Sequence, residues 1–412
     1  MKTAALVAYR AASDVAGKAA FFVVTVAAAR RLSAEEFGVF ALGTTIGWIA
    51  AVASDFGLQM HLARSVARAP ETAGMELRRW LRVRVALAAV ALIVVALSLA
   101  AFGASRLAPA VLLFTLGYLA AGVVEFIHYF YRGLSRTDIE STLTLWHRAG
   151  LLVAGLLALW LRPGVTTLAA AMVVPPAAAA LYTLRRSARL VETSTVSTDP
   201  PKPWLQEFAR DVAPIGAAAV LSALYFRIDV FLLEAWQGTQ TVGLYNAVFR
   251  LIEALRLFPA ALVAVMLPAL VRATGPAPLL RMAAALTAFG AVVAVAAGLA
   301  AGALIPRLYG SGFAEGVPAF RILAMAFPLM SLNYALTHQV IGWNGHRAYA
   351  VLCLGALVFN VALNARLIPA LSLNGAAWST LATEALLTAG CAAILARARS
   401  RKPAAAAAVA TT

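Results

Sequence analysis

Between Leu224 and Pro259 the chain places Arg227, Asp229, Arg250, Glu253 and Arg256 within two long apolar segments joined by the polar turn Gln237–Thr241. A guanidinium is the side chain suited to forked recognition of phosphate oxygens. Three arginines against two acids leave local positive charge, and unpaired charge in an apolar medium needs a partner. Two readings stay open: a compact salt-bridge cluster, with Arg227 on Asp229 or Glu253 and Arg250 on Glu253, or a site that holds an anion. Further ionisable residues interrupt other apolar runs, namely Lys18, Asp55, Glu125, His128, His147 and Arg148 in the first half and Arg321, His338 and Glu384 in the second. Lys18 and Asp55 fall at similar depth and could pair. Glu125 and His128 lie one turn apart on one helix face. Asp55, Glu125, Asp229, Glu253 and Glu384 are read as ion-coupling or ion-pairing residues, since acids within spans could carry protons or sodium ions.

The elements that must position these charges are membrane spans. Of 412 residues 62% are hydrophobic and 13% charged, with a mean hydropathy of +0.83, against about half apolar and a quarter charged in soluble domains. The chain is an all-α polytopic membrane protein. Its net charge of +16 lies between apolar runs, where it sets membrane orientation and does not imply nucleic acid. With roughly 20 apolar residues needed per span, twelve candidates lie near 12–30, 38–62, 84–104, 107–131, 141–161, 165–184, 211–235, 241–270, 282–306, 317–342, 347–368 and 375–396. The basic stretch Arg64–Val83 reads as a surface helix with Trp80 at the interface. Pro175, Pro176, Pro214, Pro259, Pro268 and Pro328 are expected to interrupt spans, each removing a hydrogen bond and kinking its helix.

The polar, proline-containing midpoint divides the chain into a lobe over 1–186, a linker over 187–210, a second lobe over 211–396 and a disordered basic, alanine-rich tail over 397–412. Counting Lys and Arg between spans and at their ends puts 22 on the side of both termini and the linker and six on the other, so the termini and linker are expected to be cytoplasmic. Phe37-Gly38-Val39-Phe40 recurs 205 residues later as Val242-Gly243-Leu244-Tyr245, at the entry of a span in each half. Six spans per half give both halves one topology, so they should be related by an axis along the membrane normal. There is no phosphate-binding glycine loop, no His-Glu-x-x-His and no paired cysteine. No catalytic residue, metal or cofactor is expected, and no loop is long enough for a catalytic domain.

The stretch Ala29–Phe40, Ser54-Asp55-Phe56-Gly57-Leu58, Tyr131–Arg136, Arg227-Ile228-Asp229 with Val242–Asn246, Leu308-Tyr309-Gly310, and Asn360–Asn364 with Leu373–Ala377 occur in this order. In these pieces the chain resembles, from about residue 5 to 396, the polysaccharide-transporter branch of the multidrug/oligosaccharidyl-lipid/polysaccharide exporter superfamily, the Wzx-like oligosaccharide flippases. The resemblance implies two pseudo-symmetric six-helix lobes around a central cavity that opens alternately to either side. It implies translocation of a polyprenyl-pyrophosphate-linked oligosaccharide across a bacterial cytoplasmic (inner) membrane for surface polysaccharide biosynthesis. By position it would put Lys18, Arg227, Arg250 and Arg256 at that cavity, with Arg148 beside them, against pyrophosphate and sugar. The implied partners are that lipid-linked substrate, membrane lipids and polysaccharide polymerase machinery, with the chain acting as a monomer. The competing readings are an ion-coupled drug or small-molecule exporter of the same superfamily and an integral-membrane polysaccharide polymerase or ligase.

Overall fold

A computed structural model of the chain describes residues 2–192, 204–260, 262–263, 277–343 and 345–409. Among them there are helices and turns and no strand. The first lobe runs α1 (Lys2–Arg31), α2 (Ala34–Asp55), α3 (Leu58–Arg68), α4 (Ala73–Ala101), α5 (Ala108–Gly133), α6 (Thr137–Leu161) and α7 (Val165–Glu192). The second opens on a short turn at Trp204–Glu207 and a π-helical turn at Phe208–Val212. It continues as α8 (Ala213–Gln237), α9 (Thr239–Leu255), α10 (Ala277–Tyr309), α11 (Val317–Gly342), α12 (His346–Leu371) and α13 (Leu373–Val409). Ten described helical segments are long and apolar enough to cross a membrane. The second half of the expected span 241–270 lies largely outside the described residues, as does Pro268.

Local chemistry explains the breaks. Ser33 caps α2 in a reciprocal capping box: its Oγ accepts from the Glu36 backbone N–H at 3.2 Å, and Glu36 Oε2 accepts from the Ser33 N–H at 3.2 Å. At the other end Phe56 (φ 44°) and Gly57 (φ 83°) turn the chain through the left-handed region. The Asp55 carboxylate accepts there from the N–H groups of Gly57 and Gln59, at 3.2 and 3.3 Å. Asp55 thus caps the start of α3, a local role its sequence position did not reveal. The polar turn between α8 and α9 is tighter than expected, because Gly238 alone is non-helical and Thr239 already begins α9.

Several expectations are corrected. The surface helix over Arg64–Val83 is replaced by α3, a 3-10 turn at Pro70–Thr72 and the first turns of α4. Trp80 is fully buried, not interfacial. It packs with Leu58, Leu62, Val66 and Ile127, and its indole N–H is satisfied by Glu76 Oε2 at 2.9 Å, which removes the cost of burying it. Pro175, Pro176 and Pro328 lie within continuous helices, and Pro214 sits in the first turn of α8, where its missing N–H costs nothing. Pro259 does interrupt: α9 ends at Leu255, whose carbonyl the Pro259 nitrogen cannot serve, and helix resumes after Arg256. α7 continues to Glu192, past the expected start of the linker, and residues 193–203 lie outside the described set. The expected disordered tail is helical as far as Val409, in keeping with the high helix propensity of alanine.

The two lobes meet along α2, which packs against α8 and α9. Loops 31–33, 162–164, 238 and 310–316 share one face of the molecule, called here the tight-loop face. The turns 56–57 and 134–136 and the Trp204–Val212 segment share the other, the linker face. One apolar cluster crosses the lobe boundary, joining Phe37, Phe40 and Phe114 to Leu244, Tyr245, Phe249, Phe313 and Phe320. Arg30 reinforces it, donating from Nε to the Leu308 carbonyl at 2.7 Å and from Nη2 to the Arg307 carbonyl. Of the other two apolar clusters, one stays within the second lobe and one is centred on the first, joined from the second lobe by Phe208 and Val212. The lobes are therefore fused by a shared core on the tight-loop face. Among the described residues they meet in narrower contacts on the linker face, such as Phe56 stacked on Phe208 and Glu207 held by His61 Nε2 and Arg79 Nη2, each at 3.0 Å.

Candidate functional site

A cavity of about 520 Å³ lies between the lobes, and its charged lining is Lys18, Arg148, Arg227, Arg250, Glu253 and Arg256. Helices α1 and α6 bring Lys18 and Arg148. Arg227 comes from α8. Arg250 and Glu253 lie one turn apart on α9, and Arg256 follows at its C-terminal cap. Five cations thus share one lined space with a single carboxylate. Each of the cations expected to face substrate is in this cavity. Of the five acids singled out in the sequence, only Glu253 is.

Glu253 braces two arginines. Its Oε2 lies 2.7 Å from Arg250 Nη1 and its Oε1 4.0 Å from Arg227 Nη1. The other lobe supplies further acceptors. Thr45 Oγ1 accepts from Arg227 Nη2 at 3.2 Å, and Thr44 Oγ1 from Arg250 Nη2 at 3.4 Å. Asn246 Oδ1 takes a second bond from Arg227 Nη2 at 2.5 Å. Three guanidinium groups also lie over aromatic rings, Arg227 on Phe249 at 4.7 Å, Arg250 on Phe21 at 5.1 Å and Arg256 on Phe226 at 4.6 Å. Demand still exceeds supply. Arg227 is only 2% exposed, yet its Nη1 has no hydrogen-bond acceptor, and neither has Arg250 Nε. Among the described residues no carboxylate lies within 4.0 Å of Arg256.

The remaining acids are elsewhere. Asp229 does not pair with Arg227, since residues two apart on a helix face different ways. It accepts from Tyr245 Oη at 2.5 Å and from the Val230 N–H at 2.9 Å, inside the second lobe. Glu384 accepts from Asn333 Nδ2 at 2.7 Å in the same interior. Asp55 meets Arg84 at 3.9 Å in place of Lys18, and Glu125 meets Arg132 at 3.4 Å. Sequence reasoning missed Arg84, which is fully buried although it stands at the end of a basic run that reads as a surface helix. It also missed the polar seam of Asn333, Asn360, Asn364 and Thr383, whose amides and hydroxyls bond one another or Glu384. Asparagines recurring within an apolar run were the available signal.

Two lobes of long apolar helices enclose a cavity at their seam, and solved structures share this fold. The chain matches an inward-facing multidrug resistance MATE family transporter of the MOP superfamily with a TM-score of 0.72 at 15% identity, covering 96% of this chain and 95% of that one. It matches a MOP superfamily transporter from Pyrococcus furiosus, described as having a binding pocket of reverse polarity that suggests a different function, with a TM-score of 0.66 at 14% identity, covering 96% and 95%. A MATE structure in a bent conformation gives 0.64 at 14% identity, covering 97% and 96%. The chain belongs to the polysaccharide biosynthesis protein family, which it matches over residues 5–274. A search of curated protein sequences finds no match. Family and fold together make the chain a membrane exporter.

Proposed function

We propose that this exporter is a flippase for a polyprenyl-pyrophosphate-linked oligosaccharide, moving it by alternating access across a bacterial cytoplasmic membrane with the linker face toward the cytoplasm. The observation that carries the reading is the excess of cation at the seam: five cations and one carboxylate, with a buried Arg227 Nη1 left without an acceptor. A pyrophosphate offers the oxygens these groups lack, and the aromatic faces around them suit sugar rings. A cationic drug would meet repulsion in the same cavity, which argues against the drug-exporter alternative. The basic bias of the linker face supports its cytoplasmic assignment, and the polymerase that would use the flipped product acts on the opposite side.

The test is transport of a fluorescent prenyl-pyrophosphate-linked sugar in proteoliposomes. Arg256→Ala removes a guanidinium that braces no carboxylate, so expression and thermal stability should hold while transport falls roughly tenfold or more, the worth of one charge-assisted hydrogen bond. Wild-type transport by Arg256→Ala, or equal transport of a cationic dye, would sink the reading.

Asp229 and Glu384, buried beside Tyr245, Thr380 and Asn333, are proposed to couple transport to an ion or proton gradient. Asp229→Asn keeps the shape and an acceptor for Tyr245 but cannot change charge. It should still bind substrate, yet lose the acceleration of transport that an imposed gradient gives. An undiminished gradient response would remove Asp229 from that role.

A further inference from the structure

A second hollow, of about 830 Å³, opens between the lobes on the linker face and shares no lining residue with the seam cavity. Its cations converge from three separate segments: Arg64 and Arg68 on α3, Arg210 on the π-helical turn, and Arg347 at the start of α12. Two acids line it, Glu207 and Asp211. Glu207 is already engaged by Arg79 and His61, each at 3.0 Å. Four guanidinium groups thus face one uncommitted carboxylate. Like charges gathered around a concave, low-dielectric wall raise the local potential and concentrate counter-ions. The α12 backbone adds to this. Gly345 offers no side-chain cap, so the first-turn N–H groups beside Arg347 keep their donor capacity at the hollow's edge. Forked guanidinium donors and helix-terminal amides together are the chemistry of phosphate recognition.

Placement gives the site its consequence. One wall is α3 of the first lobe; the others are the lead-in to α8 and the start of α12 of the second. An anion held here touches both lobes, beside the His61–Glu207–Arg79 contact that already joins them.

We propose that this hollow is a second anion site, for a phosphate-bearing group reaching it from the linker face, and that filling it holds the two lobes together there. A ligand that bridges the lobes binds only while they are close, so it shifts the population toward that arrangement. This inference does not depend on what the seam cavity transports.

The experiment uses the full chain in phosphatidylcholine nanodiscs with cysteines at Ser65 and Ala348, which line the hollow from opposite lobes. The native Cys353 and Cys391 are buried and should not compete. The rate of cross-linking by a short bis-maleimide is read with and without inorganic pyrophosphate, and again with phosphatidylglycerol replacing part of the phosphatidylcholine. One of the two probes should raise the rate about threefold or more. That rise should vanish in Arg64→Gln and in Arg347→Gln, both exposed positions whose thermal unfolding should match the parent, and persist in Arg256→Gln at the seam cavity. A response to pyrophosphate identifies a soluble phosphate ester as the occupant, and a response to phosphatidylglycerol identifies a lipid headgroup. The proposal is overturned if neither probe changes the rate, if the rise survives both hollow variants, or if Arg256→Gln abolishes it.

Discussion

Glu253→Gln is expected to lower the thermal stability of the protein sharply and to make that stability depend on an added anion. Glutamine preserves the shape of the side chain and an acceptor for Arg250 Nη1, so the change removes charge and little else. Arg227 and Arg250 then stand at the seam without the carboxylate that lies 4.0 and 2.7 Å from them. Breaking a buried ion pair costs about 3–5 kcal/mol, because the surviving charge is left uncompensated. The lower end applies here, since Glu253 and Arg250 keep partial access to the cavity. The measurement is an unfolding midpoint in detergent, with and without inorganic pyrophosphate. If the arginines form an anion site, pyrophosphate restores most of the loss and stabilises the variant more than the parent. A midpoint that falls and stays down in pyrophosphate would mean the arginines form a closed salt-bridge cluster, and the flippase reading would lose its main support.

The membrane class and the candidate site were legible in the sequence for one reason: a charge inside an apolar run is costly, so each one stands out. Lys18, Arg148, Arg227, Arg250 and Arg256 could be named as separate anomalies before anything showed them sharing a cavity. Their partners were less legible. Thr44 and Thr45 reach the arginines from the other lobe, and threonine in a membrane helix is too common to be a signal. Depth arguments put Asp55 near Lys18, but they could not see that Arg84, at the end of a basic run, folds inward to meet it. Trp80 failed for the same reason. α3 folds back over α4 and α5, and a turn made by Phe56 and Gly57 in the left-handed region leaves no hydrophobic pattern to read.

The distribution of apolar cores indicates how such a protein can change shape. A core shared by both lobes seals the tight-loop face, while toward the linker face the other clusters centre on individual lobes. To open on the sealed side, Phe37, Phe40, Tyr245 and Phe313 must part, and burial elsewhere must offset the exposed area. Among the described residues no apolar core of that extent spans the lobes on the linker face, which makes that side the cheaper one to open. The second anion site would add to what holds it.

Gly38→Ala is expected to prevent closure of the tight-loop face. The repeat glycines of the two halves are neighbours: a Cβ on Gly243 would lie 3.1 Å from the Gly38 nitrogen and 3.1 Å from the Ala34 carbonyl oxygen. A Cβ on Gly38 would lie 1.9 Å from the Thr239 carbonyl oxygen, a backbone atom that no rotamer change can move. Small residues let membrane helices approach at backbone distance, and here they sit where α2 and α9 begin, on opposite sides of the seam. Adding one methyl must drive these helix starts apart by more than an ångström, beyond the overpacking that costs about 1–3 kcal/mol in a core able to relax. The variant should insert and fold, since each lobe keeps its own packing. A cysteine placed at Thr239, half-buried in the parent, should become freely labelled by a water-soluble maleimide, and transport should drop by roughly a hundredfold because one end state is no longer reachable. Gly243→Ala, with its looser 3.1 Å contacts, should show the same defect in weaker form. Gly298→Ala, where a Cβ meets nothing within 4 Å, should leave both readouts unchanged. Wild-type transport by Gly38→Ala with an unlabelled Thr239→Cys would show that the repeat glycines are not the contact on which the lobes close.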